Sequence, residues 1–90
     1  MALIPGTKLR KGKVYRLVEA VASAGFVGLV FRVTSNSRLC SDSSIPCVQV
    51  LTLYEGIARS AVDVWWMYKE DLFEELSEEE AMLYVIQGEA

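Results

Sequence analysis

Side chains able to do chemistry are few in this sequence and unevenly placed. Histidine is absent from the 90 residues, which removes the group most used for proton transfer near neutral pH. Neither a Ser-His nor a Cys-His pair can be built within one chain. The glycines form neither the GxGxxG nor the GxxxxGK spacing of a phosphate cradle. Two cysteines, Cys40 and Cys47, flank a Ser/Asp/Pro segment, and two thiols fall short of the four Cys/His ligands of a structural zinc site. Carboxylates abound, but most lie between Glu70 and Glu89, where a solvated face is the simplest reading. Asp63 stands apart because aromatic residues surround it. An exposed charge on an edge strand is favoured there over a buried acid of raised pKa. The inventory points away from catalysis, and no catalytic residue, cofactor or metal is expected.

Binding surfaces are the remaining option. The run from Val62 to Tyr68 holds both tryptophans, Trp65 and Trp66. Its β-branched and aromatic content reads as a strand. Alternation then places Val62, Val64, Trp66 and Tyr68 on a core face and Asp63, Trp65 and Met67 on the other. An indole and a thioether on a face that would ordinarily be polar form a candidate interaction surface, with Tyr15 or Tyr54 joining from other strands. Trp, Tyr and Met are the residues that protein interfaces concentrate. The competing reading is that the terminal helix covers that face.

A second candidate surface is electrostatic. Lys8, Arg10, Lys11, Lys13 and Arg16 crowd the first sixteen residues without an acid among them, while the last twenty-one carry eight acids and no base. The basic group could contact an anionic partner such as nucleic acid, with Tyr15 stacking on a base. The overall charge of −3 and a pI near 4.9 argue against it. Pairing of the basic segment with the acidic tail is the simpler account.

The elements that must position these residues follow from local pattern. Residues 1–12 read as an extended lead-in broken at Pro5-Gly6 and Gly12. Strands are expected over 13–22 and 26–34, joined at Ser23-Ala24-Gly25 as a hairpin. A helix from Leu17 to Val33 is the alternative, opposed by Gly25, Gly28 and the valine content. Val27, Leu29, Phe31 and Val33 form an unbroken apolar face. Ser35–Ser44 is a polar surface loop, 47–54 a third strand, Glu55–Ser60 a turn, and 62–68 the tryptophan strand. Asp71-Leu72-Phe73 reads as a single turn with Phe73 and Leu76 directed inward. Ser77 with Glu80 three residues later is a capping box, opening a helix over 77–88 with Gly88 as its stop. Met82, Val85 and Ile86 share its apolar stripe.

The series "KGKVYRLV", hairpin, third strand, "WWMY" and "DLFEEL" resembles the small SH3-like barrel proteins of bacteria and phages. Lys11, Gly12, Tyr15, Trp65 or Trp66, and Phe73-Glu74 carry the likeness, which spans residues 8 to 76. It implies a barrel and assigns no functional residue.

The fold expected is therefore α+β, mainly β. A small, strongly bent antiparallel sheet or SH3-like barrel of four to five strands occupies 1–76 of one domain, with a C-terminal helix over 77–88. Apolar residues make up 52% of the chain, much for a domain with little interior. This favours a homodimer or another protein partner, and a non-catalytic binding or adaptor role. Nucleic-acid binding through the basic strand ranks second, and a small-molecule pocket beneath the helix third. Met1–Pro5 lacks the basic-then-apolar order of a secretory signal, and Ala20–Phe31 is shorter than the roughly 20 residues of a membrane span. A cytoplasmic protein with free thiols is expected.

Overall fold

The computed structural model describes residues 2–39, 44–56 and 61–89. In chain order its strands are β1 (Ile4–Pro5), β2 (Val14–Glu19), β3 (Val30–Val33), β4 (Arg38–Leu39), β5 (Pro46–Tyr54), β6 (Val64–Trp66) and β7 (Leu72–Leu76). Short 3-10 turns cover Gly6–Lys8 and Ala24–Phe26, and the helix α1 runs from Glu78 to Glu89. The sheet is antiparallel and strongly curled, ordered β1-β7-β2-β3-β5-β4, with β6 on β5. The class is α+β, mainly β, as the sequence implies. Five strands have three or more residues, and β1 and β4 add two-residue pairings within the expected lead-in and loop.

The hairpin forms with Tyr15 opposite Phe31, but its connection is longer than the three residues expected. Gly28, at φ 96°, starts the return, its N–H donating to the Leu17 carbonyl at 2.9 Å. Positive φ costs little without a Cβ, so glycine suits the position. Register shifts at Leu17/Glu19 in the β2–β7 pairing and at Val30/Phe31 in the β3–β5 pairing are the bulges that let a sheet this small bend.

Bending gives the sheet a concave and a convex side, and strand alternation fills both. Inside the curl lie Leu9, Tyr15, Leu17, Leu29, Phe31, Val33, Val48, Val50, Trp65, Met67 and Phe73. On the convex side Val14, Val30 and Leu76 meet Ala81 of α1, with Leu53, Tyr54 and Tyr84 around them. Phe73 and Leu76 are thus both buried, but on opposite sides, as their odd spacing in a strand requires. The expected turn at Asp71–Phe73 is instead the start of β7. Pairing with β1 and β2 draws this acid-rich segment into the sheet.

The capping box closes as expected. Glu80 N–H donates to Ser77 Oγ and Ser77 N–H to Glu80 Oε1, both at 3.2 Å. The helix continues through Gly88 to Glu89, within the usual latitude of a helix boundary. The apolar stripe is turned from its expected position: Ala81 is buried, Tyr84 and Val85 half-buried, and Met82, Leu83 and Ile86 exposed.

Cys47 is buried in β5 and disulfide-bonded, which corrects the free thiol expected there. Cys40 lies outside the described residues, as does most of the Glu55–Ser60 turn.

Candidate functional site

The tryptophan strand is inverted relative to its expected facing. Trp65 and Met67 point into the curl and are each 5% exposed, whereas Val64, Trp66 and Tyr68 lie half-buried on the other face. The Trp65 ring meets Phe31 at 5.7 Å, Phe26 at 5.8 Å and Phe73 at 6.2 Å between centroids. Such tilted and edge-on aromatic contacts add to the burial energy itself. α1 does not cover Trp65; it covers the convex side. Trp66 lines a small cleft of about 200 Å³ with Phe26, Val62 and Tyr68.

Tyr15, also expected at a surface, is fully buried. Its hydroxyl accepts the Arg10 backbone N–H at 3.0 Å, and burial raises its pKa. It anchors the basic turn from beneath and has no face free for stacking. Tyr54 is half-buried against Tyr84 of α1, ring centroids 5.4 Å apart. The five aromatic and thioether candidates therefore do not converge: three belong to the inner core, one to the helix contact and one to the small cleft.

The basic group divides in two. Arg16 faces Glu74 across the β2–β7 ladder and bonds it at 2.7 Å, and that hydrogen bond raises the arginine's pKa. Lys8, Arg10, Lys11 and Lys13 are exposed around the Gly12 turn, and none forms an ion pair with a described residue. Pairing of the basic segment with the acidic tail thus applies to Arg16. The second contact to the tail comes from Arg32 in β3. Its guanidinium holds Glu78 through two 2.9 Å hydrogen bonds and the Gly12 carbonyl through one of 3.0 Å.

A site that the sequence reading passed over lies at one end of the curl. The 3-10 turn at Thr7, the segment after β2, the lead-in to β5 and the β6–β7 loop enclose a cleft of about 630 Å³. Val21, Ala22, Ile45, Pro46, Met67 and Tyr68 supply mostly apolar walls, and Asp71 is the buried acid among them. Asp71 is 1% exposed. Its Oδ2 accepts the Trp65 indole N–H at 3.2 Å. Burial raises its pKa, the indole bond opposes that, and neighbouring Glu70 reinforces it. Asp63, the carboxylate singled out from the sequence, is exposed. No residue of α1 lines this cleft, so it differs from the expected pocket beneath the helix.

Gly6 fixes the cleft's rim. Its N–H donates to the Asp71 carbonyl at 2.9 Å, and a Cβ built on it would lie 2.3 Å from the Tyr68 carbonyl oxygen. Only glycine allows this approach. The local sequence signal for the site was slight: an aspartate six residues after a tryptophan, inside an acidic run.

Among the described residues no cluster of three or more Cys, Asp or Glu side chains could hold a metal ion, and no helix is long and apolar enough to cross a membrane. Comparison with known protein families, curated proteins and solved structures finds no match for this chain.

Proposed function

We propose that this protein is a non-catalytic binding module that self-associates, with α1 supplying the contact. The observation that carries the reading is the helix's outer face. Met82, Leu83 and Ile86 are exposed at 59, 60 and 56%. At 3.6 residues per turn they share an arc of about 100°, opposite the side on which Ala81, Tyr84 and Val85 meet the sheet. Leu51 of β5 is also exposed. It is in register with Arg32, which holds Glu78 one helical turn before Met82. Large apolar side chains gathered on one face mark an association surface more than scattered ones do. A second copy fits because a two-fold axis lays one stripe on its twin, each covering the other. The aromatic face is not needed, since Trp65 and Met67 are committed to the core.

Light scattering across salt concentrations tests this. The expected result is a doubled mass that salt does not abolish, and a Met82→Glu/Ile86→Glu variant that is monomeric yet folded. A wild-type chain that stays monomeric at high concentration would refute the reading. The four exposed cations of the Lys8–Lys13 turn favour a second one, an anionic partner such as nucleic acid. Association that appears only with added DNA and falls steeply with salt would point there.

A further inference from the structure

We infer that the cleft at the open end of the curl is a binding site for a small organic cation, an ammonium group carried on an apolar body. The ammonium would sit on Asp71 and the body against Met67, Tyr68 and Pro46. This does not depend on the α1 reading, because the two surfaces share no residue.

Size comes first. About 630 Å³ lies within the range of small-molecule sites, roughly 300–1,000 Å³. Such sites combine apolar walls with a few fixed polar groups, and here the walls are mostly apolar with one acid 1% exposed.

The chemistry of that acid selects the ligand. The Trp65 indole fixes Oδ2, so the carboxyl cannot swing. Among the described residues no side-chain donor reaches Oδ1, and Oδ1 is not sealed from solvent without a partner. It therefore keeps a narrow contact with solvent, on a residue that lines the cleft. The charge felt at Asp71 is that of Glu70, another acid, and Lys69, on an exposed part of the same rim, exerts none that offsets it. An anion would meet two carboxylates against that one rim ammonium. A wholly apolar ligand would strip the remaining water from Asp71 and offer nothing in return. A cation that donates to Oδ1 replaces that water with a charge-assisted bond. A buried acid held this way costs the fold stability, a pattern that binding sites show.

The test titrates the full-length protein with hexylammonium, with hexan-1-ol and hexanoate as controls of matched length. The readouts are the Trp65 indole N–H resonance and the amides of Met67–Asp71. The expected result is saturable binding of the amine, about tenfold or more tighter than the alcohol, with hexanoate weakest. Asp71→Asn should erase the preference for amine over alcohol. Should that variant fold poorly, Val21→Arg serves instead. Val21 is 80% exposed at the cleft, and a guanidinium there should weaken the amine selectively. Equal binding of amine and alcohol, or amine shifts outside the cleft, would overturn the assignment.

Discussion

Gly6→Ala is the sharpest perturbation available, because the geometry around this residue leaves the new methyl no room. The added Cβ would fall 2.3 Å from the Tyr68 carbonyl oxygen, where ordinary contact begins at 3.4 Å. The obstacle is backbone, which cannot rotate aside, so the β6–β7 loop and β1 must separate by roughly 1 Å. That movement acts on the Gly6–Asp71 bond and on the pairings Ile4↔Phe73 and Pro5↔Leu72. Overpacking costs about 1–3 kcal/mol and a lost backbone bond about 1 kcal/mol more. The expected loss of about 2–4 kcal/mol is large against the roughly 5–13 kcal/mol that a chain of this length commands. Gly25→Ala is the internal control, since nothing lies within 4 Å of its added Cβ and its φ is not positive. It should be neutral or stabilising by up to about 1 kcal/mol. Urea unfolding of both variants, followed by tryptophan fluorescence, makes the comparison. If Gly6→Ala proves as stable as Gly25→Ala, the packing of β1 against the β6–β7 loop is not as described.

The capping box gives a milder case: Ser77→Ala should lose about 1 kcal/mol, read as a lower urea midpoint and reduced helical ellipticity, and an unchanged midpoint would deny the cap its role. Stability should also respond to pH at two carboxyls with opposite signs. Burial raises the Asp71 pKa, so its contribution is fully present when both states are protonated and is lost as pH rises through the raised value. Arg32 lowers the Glu78 pKa, so that contribution is present above the ordinary value and is lost as pH falls through the lowered one. The stability gap between wild type and Asp71→Asn should therefore move in favour of wild type as pH falls from 7 towards the ordinary 3.8. A gap independent of pH would contradict the burial of a titrating Asp71.

How much of this was legible in the sequence depends on how local each signal is. Ser77 and Glu80 need only each other, and the helix start was read correctly. The unbroken series Val27, Leu29, Phe31, Val33 carries its own parity, and its last three residues do line the core, whereas Val27 ends the preceding 3-10 turn. The tryptophan strand carries no parity, because both of its faces are apolar. What sets its facing is tertiary: Phe26, Phe31 and Phe73 from other elements surround the Trp65 ring, and Asp71, six residues on, receives its indole N–H. The start of β7, Asp71-Leu72-Phe73, was read as a turn because the acids around it look solvated, yet Arg16 neutralises Glu74 from 58 residues away. Asp71 was missed although its partner Trp65 is only six residues away, because nothing in an acidic run marks which carboxylate turns inward.

β7 sits between β1 and β2 although more than fifty residues of chain separate it from β2, and more again from β1. It carries Phe73 into the inner core and Leu76 under the helix, so neither side of the sheet is complete without it. Closing such a span costs chain entropy before any contact repays it. During synthesis Tyr15, Leu17 and Val14 must then wait, partly uncovered, until residue 76 has left the ribosome. The interval of greatest exposure to misassembly is set by the position of one five-residue strand in the order of translation.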